Sequence, residues 1–211
     1  MESDKALEYI RDLVSYDNPI LSFLDEEAKS RDDIQPFIEP ELAKMLGLLI
    51  RLTNAQTVLE LGSGVAYSTI WLGEALKATG GRLTTMDNHE RTSKEAKENL
   101  SKAGVDSFVD FRFGDVEELV PRAVSHHEQY DLIFQDCGKY VYDIVYEDIY
   151  DLLNPGGLLV TDDTLLQFDP TIRKGLGVHV DRYNQRLFID DRYYSTMLPI
   201  GQGVALSIKK A

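Results

Sequence analysis

Hydrophobic residues recur at helical spacing near the start of the chain. One stripe (Leu7, Ile10, Leu13, Val14) and a second (Ile20, Leu21, Leu24, Ala28) stand on either side of a break at Asn18-Pro19. A third segment of this kind begins around Pro40, a residue that fits the first turn of a helix. The spacing predicts helices over about 7–14, 20–28 and 39–52, which form an N-terminal helical cap over residues 1–52.

From residue 56 the pattern changes to short apolar strands that alternate with amphipathic helices. Strands are predicted at 57–61, 82–86, 108–113, 130–135 and 157–161. Helices are predicted between them at 68–77 and 93–103, from about 116, and at 140–153. This alternation predicts a parallel sheet with helices on both faces.

The end of the chain departs from that rhythm. Two further strands, at 193–198 and 204–208, are separated only by residues 199–203, a link that can join antiparallel strands but not parallel ones. We therefore predict an α/β fold with a mostly parallel seven-stranded sheet that ends in an antiparallel hairpin. This doubly wound core over 56–211, within a single domain over 1–211, resembles the Rossmann-like class I methyltransferase variant.

Composition narrows the choice of compartment and partners. With 43% hydrophobic and 27% charged residues, the 211-residue chain has the balance of one water-soluble domain. A lone cysteine, Cys137, and the lack of a signal peptide or a membrane-spanning run predict a cytoplasmic protein with no membrane partner. The formal net charge of −14 opposes broad nucleic-acid binding, because such a surface repels phosphates.

Candidate cofactor residues follow the first three strands. Glycines at 62 and 64 lie between strand and helix, where they let the backbone approach a ligand. A dinucleotide fingerprint would have a third glycine where this chain has Tyr67, which weakens a nicotinamide interpretation. Strand two ends at Asp87, placed to accept from ribose hydroxyls, and strand three at Gly114-Asp115, where an adenine edge could be read. Asp115 is also a good helix N-cap.

Candidate catalytic residues follow the fourth and fifth strands. Asp136 ends one and Asp162-Asp163 the other, and because these strands are adjacent in this topology the three carboxylates should converge. Such a cluster needs a cation, and hard oxygen ligands favour Mg²⁺, Mn²⁺ or Ca²⁺. The alternative is that Asp162-Asp163 only caps a loop. Lys139 is the candidate general base, because a bound dication should lower its pKa; the alternative is a solvated lysine.

These motifs resemble those of the cation-dependent O-methyltransferases, the family of catechol and caffeoyl-coenzyme A O-methyltransferases and small bacterial members. The likeness runs from about residue 36 to the C-terminus. It is carried by Leu59-Glu60-Leu61-Gly62 with Tyr67-Ser68, by Asp87, Gly114-Asp115 and Asp131 through Lys139, and by Asn154-Pro155-Gly156-Gly157, Asp162-Asp163, Asp191-Arg192 and Leu198 through Gly203.

The resemblance implies a S-adenosylmethionine (SAM)-dependent enzyme that methylates a hydroxyl of a small, catechol-like acceptor, and homodimers are common in the family. It implies that Asp136, Asp162 and Asp163 bind the metal and that Lys139 is the base. It implies that the cofactor is surrounded by Glu60, Gly62, Ser68, Asp87 and Asp115. To these we add Asp136 and the chain neighbours Ser63, Gly64, Tyr67, Asn88 and Gly114.

The sequence departs from the family pattern at three positions. Asp163 stands where the family has Asn, Ala66 where it has Gly, and Gln202 where it has Asp. The alternatives are a tRNA hydroxyuridine methyltransferase, a nicotinamide-dependent oxidoreductase and a non-catalytic SAM-binding protein. The loop over 164–177 and the N-terminal helices should shape the acceptor pocket. The tyrosines Tyr142, Tyr146 and Tyr150 are predicted to pack in the core.

Overall fold

A computed structural model describes residues 2–16 and 18–211. These residues form a seven-stranded sheet with the order β3-β2-β1-β4-β5-β7-β6. The strands are β1 (Thr57–Leu61), β2 (Arg82–Asp87), β3 (Val109–Phe113), β4 (Tyr130–Gln135), β5 (Leu153–Thr161), β6 (Tyr193–Leu198) and β7 (Val204–Lys209). Neighbours among the first five are parallel, whereas β7 is antiparallel to both β5 and β6. The predicted fold class is confirmed.

The strand order reverses at β1, which pairs with β2 on one side and β4 on the other. At such a switch point the connecting loops diverge and leave a crevice beyond the carboxyl ends of the strands. The loops after β1, β2 and β4 therefore meet at one rim. In the neighbouring pair, Gln135 lies opposite Thr161, which brings the residues after β4 and β5 side by side.

Helices cover both faces of the sheet. They are α1 (Glu2–Leu13), α2 (Pro19–Ala28), α3 (Pro40–Thr53), α4 (Tyr67–Thr79), α5 (Glu90–Ala103), α6 (Val116–Ser125), α7 (Val141–Ile144), α8 (Tyr146–Leu152) and α9 (Lys174–Ile189). Side chains of α2 to α5 form one core layer and those of α6 to α9 form the other. Strand β4 serves both layers, because Leu132 and Phe134 point into the first and Ile133 into the second.

Three boundaries differ from the sequence-based expectation. The predicted helix over 140–153 is divided at Val145 into α7 and α8, and β5 begins at Leu153 instead of 157. The sequence-based expectation has no counterpart to α9, and its loop over 164–177 includes the first residues of this helix. A readable signal existed, since Val180, Tyr183 and Leu187 recur at helical spacing and are buried.

Helix α1 packs against the core less closely than its hydrophobic stripe predicts. Leu7, Ile10 and Leu13 are 42–65% exposed, and of this stripe Val14, just past the helix, packs against the core. Within the described ranges, no helix is both long and apolar enough to cross a membrane.

Candidate active site

The loop after β1 lies directly against the end of β4. Gly62 has φ +95° and its N–H donates to the carbonyl oxygen of Met86 at 2.9 Å. A Cβ at this position would lie 2.2 Å from the carbonyl oxygen of Asp136. Glycine is needed at 62 both for its backbone conformation and for this close approach.

Asp87 at the end of β2 faces this loop. One carboxylate oxygen accepts from the backbone N–H groups of Ser63 at 2.9 Å and Gly64 at 3.0 Å, and the other accepts from that of His89 at 2.8 Å. The N–H of Gly114 donates to the Asp87 carbonyl oxygen at 3.0 Å, which joins the end of β3 to the same rim. The three predicted cofactor segments therefore meet.

Asn88 and Asp115 contact each other at this rim. The amide of Asn88 donates to the carboxylate of Asp115, and both side chains are exposed. Asp115 has the backbone conformation of an N-cap at the start of α6, but its side chain accepts no capping hydrogen bond. The predicted N-cap position of Asp115 is confirmed, but its side chain bonds Asn88 instead of a backbone N–H of the helix.

Glu60 and Ser68 form a buried hydrogen bond that supports the loop after β1. We call this loop, which contains Gly62 and Gly64, the glycine loop. The fully buried Glu60 carboxylate accepts from the hydroxyls of Ser68 and Thr69 at 2.6 Å and from that of Thr85 at 2.7 Å. Burial raises the pKa of Glu60 to about 7, although the three hydroxyl groups oppose the rise. Because both oxygens are engaged, we assign Glu60 to holding the loop in place.

Tyr67 connects the loop to the N-terminal cap. Its ring stacks on Phe37 with centroids 4.5 Å apart, and its hydroxyl donates to Asp25 in α2 at 3.1 Å. The ring is 2% exposed, so we assign it to anchoring the loop. The preceding residue, Ala66, has φ +75°, a left-handed conformation that favours glycine, and this explains why the family has glycine there.

Lys139 holds the carboxylates after β4 and β5 together. Its ammonium nitrogen lies 2.9 Å from Asp136 Oδ1, 2.7 Å from Asp163 Oδ2 and 2.9 Å from the hydroxyl of Tyr142. The lysine is only 9% exposed, so the solvated alternative is wrong. Tyr142 is packed in the core as predicted, but sequence reasoning missed that it also borders this site, although it lies one helical turn after Lys139.

The carboxyl groups of Asp136, Asp162 and Asp163 outnumber the single ammonium of Lys139. Burial alone would lower the pKa of Lys139, but the charges of Asp136, Tyr142 and Asp163 raise it well above its ordinary value. Burial and the charges of Asp136 and Asp163 raise the pKa of Asp162 well above its ordinary value. The predicted fall in the Lys139 pKa required a bound dication. Without one the shift has the opposite sign, and the lysine is a cation.

Asp136, Asp162 and Asp163, here called the acidic trio, have the chemistry to bind a divalent cation. Their present arrangement does not form a metal site. Within the described part of the chain, no three His, Cys, Asp or Glu side chains form a group that could hold a metal ion. The Lys139 ammonium lies between Asp136 and Asp163, and Asp162 Oδ1 accepts from the N–H of Asp163 at 2.8 Å. Three carboxylates beside a single ammonium still offer the hard oxygen donors that Mg²⁺, Mn²⁺ or Ca²⁺ prefer.

Cys137, next to Asp136, carries a thiol that stays protonated. Burial raises the pKa of its thiol to about 12, so the thiolate is not populated near neutral pH.

The turn between β6 and β7 closes the far side of the acidic trio. The N–H of Thr164 donates to the carbonyl oxygen of Gly203 at 2.9 Å, and that of Leu165 to the carbonyl oxygen of Gln202 at 2.6 Å. This turn also contacts the cap, since a Cβ on Gly201 would lie 2.1 Å from a carboxylate oxygen of Glu39. Glu39 had no predicted role, because its neighbours at the site are distant in sequence.

Comparison with known proteins identifies the family of the chain. The O-methyltransferase family profile matches residues 11–210. The chain belongs to the O-methyltransferase family. The resemblance predicted from the motifs is thereby confirmed at the level of the family.

Named relatives of this O-methyltransferase act on hydroxylated compounds. The chain is 32% identical over 158 residues to a catechol O-methyltransferase of Niastella koreensis, an alignment that covers 74% of this chain and 71% of the relative. It is 30% identical over 175 residues to caffeoyl-CoA O-methyltransferase 2 of Eucalyptus globulus, covering 77% and 70%. The crystal structure of an O-methyltransferase from Bacillus cereus in complex with SAH superposes with a TM-score of 0.84 at 23% identity, over 98% of this chain and 97% of that one.

Proposed function

We propose that this chain transfers the methyl group of SAM to a hydroxyl oxygen of a small hydroxylated acceptor, of which catechol is the simplest. The observation that carries the proposal is the buried Lys139 beside Asp136 and Asp163, at the rim that the glycine loop also reaches. Support comes from the activities in the names of its relatives and from the SAH-bound structural neighbour.

The cofactor would lie over the loop after β1. Gly62 and Gly64 keep this backbone free of side chains, and above Gly64 a Cβ would meet nothing within 4 Å. Asp87 Oδ2 is engaged by the Ser63 and Gly64 donors, whereas Oδ1 accepts only from the N–H of His89 and keeps a lone pair that can accept from a ribose hydroxyl. Asn88 and Asp115, which bond each other at this rim, would border the adenine.

Asp136, Asp162 and Asp163 would hold a divalent cation. When bound, such an ion acidifies a hydroxyl that it coordinates and neutralises the carboxylates that Lys139 now balances. Asp163 adds a charge where the family has a neutral Asn. That charge should strengthen metal binding and reduce the ion's Lewis acidity.

Lys139 would act as the general base. Once the carboxylates are neutralised by another cation, burial dominates and favours the neutral amine. The amine takes the proton of the acceptor hydroxyl, and the oxygen forms a bond to the SAM methyl carbon while the carbon–sulfur bond breaks. The products are the methyl ether and neutral S-adenosylhomocysteine (SAH), and the lysine releases its proton to solvent. The residues around the crevice contribute by fixing the line of attack.

The proposal is tested by assaying methyl transfer from labelled SAM to catechol in the presence of Mg²⁺ or Mn²⁺. We expect labelled methyl ether, with turnover lost in Asp136→Ala while calorimetry still detects SAM binding. A parallel assay with tRNA at low salt tests the alternative acceptor class, which the net charge of −14 disfavours. Methylation of tRNA but not of catechol would overturn the proposed acceptor, and failure to bind SAM would overturn the activity.

We infer further that the chain forms a homodimer through the uncovered end of its sheet. Leu158, Ile208 and Tyr194 pair across β5, β7 and β6 on one face, and their exposure rises from 8% to 41% to 73% toward the edge. On α3, Leu48 and Leu52 are also more than 60% exposed. Apolar surface of this kind is typical of an interface.

Sedimentation equilibrium should give twice the chain mass of 23.9 kDa. Ile208→Asp should convert the dimer to a monomer, because it places a charge in the proposed interface. Phe113→Asp, on the exposed opposite edge strand, should not change the mass. A wild-type monomer at micromolar concentration would contradict the inference.

A further inference from the structure

Glu39 is an acidic residue at the candidate site that the mechanism above does not use. It directly precedes α3, and its carboxylate lies against Gly201, with a would-be Cβ only 2.1–2.4 Å from the carboxyl atoms. The turn that contains Gly201 is hydrogen-bonded to Thr164 and Leu165, which directly follow Asp163. Glu39 therefore borders the same rim as the acidic trio, on a segment that is distant from all three residues in sequence.

Glu39 contacts the side of the site that we assign to the acceptor. The predicted cofactor segments follow β1, β2 and β3, on one side of β4, whereas the turn that Glu39 contacts joins β6 and β7 on the other side. Methyl transfer is an in-line displacement, so the acceptor must approach from the side opposite the SAM sulfur. Parts of an acceptor that extend beyond the acidic trio would reach Glu39.

Among the described residues, Glu39 has no dedicated counter-ion. Two cations of this region bond other carboxylates, since Lys139 pairs with Asp136 and Asp163, and Arg11 bonds Glu41 at 3.2 Å. Among the described residues, no hydrogen bond or ion pair joins the Glu39 carboxylate to another side chain. Burial raises the pKa of Glu39, and the charges of Glu41 and Asp163 raise it further while that of Arg11 opposes them.

We propose that Glu39 makes this enzyme select hydroxylated aromatic acceptors that carry an ammonium group, and disfavour acceptors that carry a carboxylate or the phosphates of coenzyme A. This inference rests on the proposed function and specifies its substrate class. A carboxylate in a partly buried site attracts an ammonium group and repels an anion within a few ångströms. A phosphorylated acceptor could instead be favoured by two exposed cations, Arg173 and Lys174. Both lie in the segment that follows Asp163.

The test compares four acceptors with the same dihydroxyphenyl ring. They are 3,4-dihydroxyphenethylamine (cationic), 4-methylcatechol (neutral), 3,4-dihydroxyphenylacetate (anionic) and caffeoyl-coenzyme A. Calorimetry on the full chain loaded with SAH measures their affinities without turnover, and kcat/KM with SAM and Mn²⁺ measures their use. We expect the cation to be preferred over the anion by about tenfold or more.

Glu39→Gln should reduce that ratio to near unity while changing the values for 4-methylcatechol by less than about twofold. Glu98→Gln removes the same charge from an exposed site on α5 and should leave the ratio unchanged. Raising the salt concentration should reduce the wild-type preference, since the interaction is electrostatic.

Two outcomes would overturn the inference. One is equal affinity of the wild type for cationic and anionic acceptors, or a preference for caffeoyl-coenzyme A. The other is an unchanged ratio in Glu39→Gln. Because affinity is measured with SAH, loss of all turnover would count against the proposed function alone, and the binding ratio would still decide the role of Glu39.

Discussion

Replacement of Lys139 by arginine is expected to reduce methyl transfer by about 10²–10⁴-fold while leaving SAM binding nearly unchanged. Arginine keeps the positive charge that Asp136 and Asp163 contact at 2.9 and 2.7 Å, but its guanidinium does not deprotonate in proteins. The variant therefore separates the charge of the lysine from its action as a base. Measurement of kcat together with SAM affinity tests the prediction.

Two methionine variants test whether the loss of activity is specific to position 139. Lys139→Met should also be inactive and less stable, because it leaves the partly buried carboxylates of Asp136 and Asp163 without their partner. Lys77→Met removes a surface lysine that pairs with Glu74 at 2.9 Å and should change neither activity nor cofactor binding. In the wild type, kcat should rise with pH and level off as Lys139 loses its proton. An arginine variant with normal turnover would show that Lys139 only balances charge.

Substitution of Gly62 by alanine is expected to destabilise the protein by about 3 kcal/mol or more and to abolish SAM binding. The added Cβ would lie 2.2 Å from the Asp136 carbonyl oxygen, and alanine would also have to adopt φ +95°. The contact joins the cofactor loop to the metal and base segment, so relieving it must displace one of them. Thermal unfolding should show a midpoint lowered by about 10 °C.

Gly64→Ala is the matched control. It is two residues away, also has a positive φ, and has nothing within 4 Å of its would-be Cβ. The cost should be confined to the left-handed conformation, about 1 kcal/mol. Equal destabilisation by the two substitutions would mean that the contact with Asp136 contributes little.

The sequence predicted best those features that depend on strand order alone. In a parallel sheet the carboxyl ends of neighbouring strands share one rim, so the segments of Asp136 and Asp162-Asp163 could be placed side by side from the chain pattern. The antiparallel ending followed from the short link between β6 and β7, because so few residues cannot cross over to a parallel strand.

Contacts between distant segments could not be predicted in this way. Hydrophobic spacing tells which face of an element is buried but not which segment covers it. Two contacts depend on how the N-terminal cap packs against the core. They are the stacking of Tyr67 on Phe37 and the approach of Glu39 to Gly201. The pairing of Lys139 with both Asp136 and Asp163 depends in addition on the left-handed backbone of Asp163, at φ +60°.

We propose above that this rim transfers a methyl group with the help of a divalent cation. The most direct measurement is methyl transfer from labelled SAM to catechol by EDTA-treated protein, titrated with Mn²⁺. We expect no labelled product in EDTA and recovery to a plateau as Mn²⁺ is added, with no recovery in Asp136→Ala. Full turnover in EDTA would contradict the claim, since Asp136, Asp162 and Asp163 would then act without a metal.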